Sequence, residues 1–507
     1  MGTARQSARA RAAWLLALAF VCGASFPFLS RMMNANERPR LLQAVAIVDH
    51  GTLALDPVEI DPGIDVARGV GGATYPNKPP GATVPAVLAY SVQRAWCGLL
   101  DCTPTLRGLT LLARIFGAVL PVVLLVHFAL RRLGDDAIAR LAVLVLVVAT
   151  PLWSYGHLLF SHALAALAMF VGVTKLGDAA RDEDLRAAAI GGACAGATVV
   201  LEYVAVFAAL PIAVWLLRRR RTLVAATIGA LVPIALLALY HQHAFGSPWA
   251  TSYHSTVDPL SAEQVAHGLL GLDVPKPAAV VEDLISPWGG LFYFAPLVVI
   301  APLAWKLAPH DDRTHVRLHL AVLATLVLAT LCIDQAGGWR VGPRHVVLAM
   351  PALAPALALV LRQRSDREGL LAIVLGLALW GLLVNGLAAS WFPTLIPEGN
   401  PLRDQLLPLV VRGHQPYTVV DGWRGVVPLA GMLPIALAIG LGARAAREVI
   451  PPALRRRVAV GTLVVTAAIV IAAWSVPPSE EASPNLAAIE SIWEPGNARA
   501  SVVKPLR

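Results

Sequence analysis

The chain has 507 residues, 57% of them hydrophobic and only 14% charged, with a mean hydropathy of +0.65. So little charge over such a length excludes a soluble globular protein and points to a polytopic helical membrane protein. The net charge of +9 does not indicate nucleic acid, because the basic residues stand in short clusters between apolar runs, as the positive-inside rule requires.

The first apolar run, about 12–30, follows Arg5, Arg9 and Arg11 and reads as a retained signal-anchor helix with a cytoplasmic N-terminus. A polar outer segment, 31–105, comes next. Helix two covers about 106–130 and ends inside at Arg131-Arg132. Helix three, about 138–153, stops at Pro151-Leu152-Trp153. Helix four follows at about 158–176. Helices five and six, about 187–201 and 203–217, meet at Glu202-Tyr203; Arg186 and the run Arg218–Arg221 both belong inside, which requires two crossings. The remaining helices lie at about 222–241, 288–305, 316–333, 345–361, 369–389, 426–443 and 458–474. The expected fold is therefore all-α, with about thirteen transmembrane helices, a large first extracytoplasmic loop bearing short amphipathic helices, and an extracytoplasmic C-terminal tail.

The outer segments hold most of the chemistry. In the first loop, Tyr75-Pro76-Asn77-Lys78-Pro79-Pro80-Gly81 fixes φ at two consecutive prolines and extends the backbone at Lys78. This holds one ammonium at the membrane face, where it can meet a lipid phosphate. A Pro-rich turn with a solvated lysine is the plain alternative. Glu37 precedes an apolar pattern, Leu41, Leu42, Val45, Ile47 and Val48, expected to form a short amphipathic helix lying on the membrane, capped by Asn34 or Asn36. Glu202 is the sole acid in a long apolar run, and Arg344 stands in Gly342-Pro343-Arg344-His345 at the mouth of a helix; charges beside hydrocarbon are costly and tend to be functional. Tyr155, His157 and His162 line the turn before helix four, His241, His243, Tyr253 and His254 a large later loop, and Asp334, Trp339 and Arg340 the turn before Arg344. One carboxylate among several cations suits base-assisted displacement of a phosphate leaving group. Most such residues would otherwise be solvated loop charges. Cys97 and Cys102 fall on the outer side, where a disulfide or two free thiols are both open; nothing has metal-site spacing.

With these motifs in place, the layout resembles the GT-C fold polyprenyl-phosphate-sugar glycosyltransferases, in the bacterial branch related to protein O-mannosyltransferases and lipid A aminoarabinose transferases. The likeness rests on Asn36-Glu37-Arg38 and His50-Gly51-Thr52-Leu53, on the Tyr75–Gly81 element, and on Thr150-Pro151-Leu152-Trp153 to Phe160-Ser161-His162. It continues through Phe245-Gly246-Ser247-Pro248, Ser286-Pro287-Trp288-Gly289-Gly290-Leu291-Phe292 and Gly342-Pro343-Arg344. It implies an inverting transfer of a sugar from a polyprenyl-phosphate donor to a lipid-linked or protein acceptor at the outer face of the cell inner membrane, with no cofactor. It also implies a catalytic module over 1–365, variable transmembrane helices over 366–474 and a tail over 475–507. Lys78 corresponds to the family's phosphate-binding lysine and Arg344 to a cationic partner. The family's catalytic Asp is Asn36 here, so Glu37 is the first candidate base, with His162, Asp49 or Asp56 behind it. Tyr75, His157, Glu202, Tyr203, Tyr253 and His345 are the expected substrate contacts. A transporter or flippase of lipid-linked cargo, and a non-catalytic relative, are the alternatives; the loading of polar groups into the first outer loop disfavours the former.

Overall fold

Within hydrocarbon the backbone has no water to bond, so apolar runs of this length must satisfy their amides as helices. The computed structural model describes residues 2–24, 35–266, 271–309, 314–333, 338–414, 430–477, 479–493 and 506. The helices corresponding to the predicted spans are α1 (Gly2–Ala24), α4 (Leu106–Leu133), α5 (Ala137–Val148), α6 (His162–Asp182), α7 (Leu185–Leu201), α8 (Tyr203–Leu216) and α9 (Arg220–Phe245). They continue with α10 (Pro296–Leu307), α11 (Val316–Leu331), α12 (Arg344–Arg364), α13 (Glu368–Trp391), α14 (Leu433–Val449) and α15 (Pro452–Trp474). Two more, α2 (Arg38–His50) and α3 (Thr83–Leu100), lie in the first outer segment, and α16 (Ala482–Trp493) follows α15. Six of these, α4, α6, α9, α12, α13 and α15, are each long and apolar enough to cross a membrane. The central helix is α12, with 83% of its most apolar stretch buried, against 17% for α9 and α15, which present theirs outward.

Ion pairs show how the helix ends alternate. Arg11 in α1 reaches Asp135 between α4 and α5 at 2.7 Å, and Arg362 near the end of α12 reaches Asp136 at 2.9 Å. Arg132 near the end of α4 and His315 before α11 both meet Asp178 near the end of α6. These are the basic clusters expected inside, and they gather at one end of the bundle. The opposite end carries α2, α3 and the candidate site.

The first outer segment departs from expectation in three ways. It is not wholly helical: Val66–Arg68 (β1) and Thr74–Pro76 (β2) pair antiparallel, with Ala67 opposite Tyr75. Nor does α2 lie on the membrane. Residues 39–46 are all buried, because its polar side chains have internal partners: Gln43 Nε2 donates to Leu53 O at 2.8 Å and its Oε1 accepts from Thr83 at 2.7 Å. Glu37 occupies the cap position without a side-chain cap bond, Asn36 turns to Arg40 instead, and Asn34 lies outside the described residues. The helix with an exposed apolar stripe is α3, through Val84, Leu88, Val92 and Trp96, one turn apart each. Cys97 and Cys102 at its end are joined in a disulfide. Elsewhere, the run expected at 288–305 is broken into Leu291–Phe294 and α10, with Pro296 at the start of the second piece.

Candidate active site

The Lys78 element is set in place from both sides. On one, Asn77 N donates to Asp65 O at 3.0 Å and Asn77 Nδ2 to Thr256 Oγ1 at 3.1 Å. On the other, Gly81 presses against the end of α7, where an added Cβ would stand 2.7 Å from Val200 O. That contact brings the loop alongside Glu202, the residue between α7 and α8. Arg344 is set by Gly342 at φ 62°, whose missing Cβ leaves room for Pro151 and Phe294, and by Tyr155 Oη, which bonds the backbone of Val341 at 3.3 Å.

The resulting cluster holds more cations than the sequence motifs suggest. Lys78 Nζ stands 3.7 Å from Asp65 Oδ1 and 5.7 Å from the centre of the Tyr253 ring. Burial holds the Lys78 ammonium below the ordinary lysine range; Asp65 opposes this, while Arg344 and Arg40 add to it by repulsion. Arg40, on α2, is also buried and couples to Glu202, Asp65 and Tyr253. Its guanidinium donates to Asn36 Oδ1 and to Leu159 O, the latter at 3.0 Å. Both acceptors are neutral, so neither compensates the Arg40 charge at first contact. Arg344 makes no hydrogen bond or ion pair with any described residue. Three cations therefore face two carboxylates, Asp65 and Glu202, and the cluster is net positive.

Glu202 lies deeper. Its Oε1 accepts from Ser161 Oγ and stands 3.1 Å from His162 Nδ1, with both side chains less than a tenth exposed. Ser161 holds φ 71°, unusual for a non-glycine residue and costing about 1–3 kcal/mol. His162 is set edge-on to Tyr155 at 4.6 Å, and His345 couples to Arg344, Glu202 and His162.

Six expected site residues are placed otherwise. Glu37 is fully buried: Arg114 Nε and Leu159 N donate to its Oε1 at 2.8 and 2.6 Å, and Arg114 Nη2 to its Oε2 at 2.7 Å. A carboxylate so engaged cannot take a proton from a substrate; it fastens α2 to α4 and to the turn before α6. His157 lies buried near Arg114, and burial pushes its imidazole well below the ordinary range, with repulsion from Arg114 adding to it. Tyr75 packs edge-on against Tyr240 and Phe245, and Tyr203 Oη bonds His241 Nε2 at 2.9 Å while its ring supports Tyr253. Asp49 is bound to Arg94 at 3.0 Å, and Asp56 caps Thr74 N at 2.9 Å. Asp334 lies outside the described residues. Those brought together are Lys78, Arg344, His345, Glu202, His162 and Tyr253. Arg40 and Asp65 were not singled out by the sequence: Arg40 reads as one more helix charge, and Asp65 as one of several loop acids.

A separate small cavity of about 120 Å³ lies beside Asp273, Lys276, Glu282, Asp283 and Cys332. Two of these acids pair with Arg340, Glu282 at 3.2 Å and Asp283 at 3.6 Å. Among the described residues no group of three His, Cys, Asp or Glu is arranged to hold a metal ion.

No protein-family model and no curated sequence matches the chain. Among solved structures it is similar to the arabinosyltransferase EmbB from Mycobacterium smegmatis, determined by single-particle cryo-EM, with a TM-score of 0.44 and 16% identity. The match covers 86% of this chain and 40% of that one, so the chain spans less than half of that structure's length.

Proposed function

We propose that this chain is a membrane glycosyltransferase that moves a sugar from a polyprenyl phosphate to a lipid-linked or protein acceptor at the outer face of the cell envelope. In this reading it crosses the inner membrane thirteen times, with the N-terminus cytoplasmic and the C-terminus outside. The carrying observation is Arg344, a guanidinium without a carboxylate partner among the described residues, on the same face as Lys78 and Arg40. Such a cation is stabilised by an incoming phosphate, which Arg grips bidentately and Lys meets as a point charge. The charge that develops on the leaving phosphate is then met by groups already in place. A non-catalytic relative would lack an acid beside these cations; Asp65 and Glu202 favour the enzyme.

The test is binding of a polyprenyl phosphate in detergent, and transfer from polyprenyl phosphates carrying labelled pentose or hexose. K78A and R344A should each weaken phosphate binding by about 1.5–3 kcal/mol, the worth of a charge-assisted hydrogen bond. Unchanged affinity in both variants would remove the phosphate clamp and the proposal with it.

A further inference from the structure

We infer that the acceptor's proton is taken by His162, oriented by Glu202, so that the base of this chain lies on the α6–α7 side of the site and not in the first outer loop. This rests on the transferase reading above. Three carboxylates lie near the cationic cluster, and two are unsuited to the task. Glu37 has both oxygens committed to Arg114 and Leu159 N. Asp65 stands 3.7 Å from Lys78 Nζ, on the side where the phosphate departs. In an inverting displacement the attacking and leaving oxygens lie on opposite sides of the anomeric carbon, so a base in contact with the phosphate-binding lysine is on the wrong side.

Glu202 and His162 meet the geometric requirement. Glu202 follows Val200, against which Gly81 of the Lys78 element packs, and it interacts with Lys78, Arg40 and Tyr253, yet its contacts are with Ser161 and His162, away from the ammonium. Glu202 Oε1 lies 3.1 Å from His162 Nδ1, at ion-pair distance though not in line for a hydrogen bond, and so meets the positive charge the imidazole acquires when Nε2 accepts a proton. Ser161, held at φ 71°, places its hydroxyl on the same carboxylate oxygen and limits its rotation. The Tyr155 ring packs perpendicular to the imidazole at 4.6 Å and restricts its rotation.

The step balances as follows. The acceptor hydroxyl gives its proton to His162 Nε2, and the hydroxyl oxygen forms the new bond to the anomeric carbon. The bond from that carbon to the phosphate oxygen breaks, its electron pair leaving on the polyprenyl phosphate, whose charge is met by Lys78, Arg344 and Arg40. The imidazolium, stabilised by Glu202, returns its proton to solvent.

The experiment uses the full chain in detergent, with whichever labelled pentosyl or hexosyl polyprenyl phosphate the wild type turns over, and unglycosylated polyprenyl phosphate as the binding probe. H162N should lower kcat about 100-fold or more, the usual contribution of a general base, with polyprenyl phosphate affinity within about threefold of wild type. E202Q, which keeps a hydrogen-bonding oxygen toward Ser161, should lower kcat about tenfold or more with KM for the donor held. H162G should regain part of its turnover on addition of imidazole. H162N turning over within threefold of wild type would overturn the assignment. So would loss of polyprenyl phosphate binding together with turnover in both H162N and E202Q, or an H162G that ignores imidazole while E202Q works normally. If the wild type itself neither binds polyprenyl phosphate nor transfers from any donor, it is the transferase reading that falls.

Discussion

Glu37 and Asp283 show two fates of a buried acid. Glu37 is paired bidentately with Arg114, and both are at most 4% exposed. Removing one partner strands the other charge, so E37Q should cost about 3–5 kcal/mol. Replacing both, as in E37Q with R114M, should recover a good part of that loss. A double-mutant cycle of unfolding in detergent measures it, and the activity per folded molecule of E37Q should stay well above that of H162N. Asp283, in the short helical segment Val281–Ile285, is only partly compensated. Burial raises its carboxyl to about 6 from the ordinary 3.8; Arg340 opposes the rise and Glu282 adds to it. The folded state therefore holds this proton more tightly than the unfolded state does. The contribution is full below the ordinary value and lost as pH rises through about 6. Melting temperature should fall between about pH 4 and pH 6 for this reason, and D283N should flatten that part of the profile.

Among the elements, α7 and α9 determine where Glu202 sits. They pack through glycines at contact distance: a Cβ on Gly192 would lie 1.9 Å from Ala226 O, and one on Gly229 would lie 2.0 Å from Ala189 O. Small residues let helix backbones approach where hydrocarbon supplies no hydrophobic drive between helices. G192A must push α9 away, at about 1–3 kcal/mol, and tilt the end of α7 that carries Glu202. Turnover should then fall more than polyprenyl phosphate binding, since the Lys78 element is also held by Asp65 and Thr256. Equal loss of both would mean that α7 positions the cations instead. The α4 helix contributes differently. Its wide π turn, Ile115–Val119, begins next to Arg114 and marks where the ladder gives way around the Glu37 pair.

Across the whole molecule, charge is sorted by end. The Asp135–Asp136 and Asp178 pairs with Arg11, Arg132 and Arg362 form one face, and the Lys78–Arg344–Arg40 cluster the other. In a variant without free cysteines, single cysteines at Gly72 and at Gly134 should report opposite sides. An impermeant maleimide should label the first in intact cells and the second only after permeabilisation. Equal labelling of both would overturn the proposed crossing pattern. The exposed stripe on α3 lies on the Gly72 side, which suits a helix seated in the outer lipid surface beside the site.

The membrane character and the succession of apolar helices were legible without coordinates, because apolar length is a property of the chain taken locally. So was the Lys78 element, since two prolines and a glycine dictate its backbone whatever surrounds them. The identity of the working groups was not legible. Glu37 and Glu202 look alike in the sequence, the first an acid shortly before an apolar run and the second an acid within one. Only packing puts Arg114 across from one and His162 across from the other. Arg40 joins the site because α2 is buried rather than lying on the bilayer, and Asp65 because a two-stranded hairpin turns it toward Lys78. A side chain's chemistry is set by the charges and donors that distant segments bring to it, and that arrangement exists only once the helices have packed.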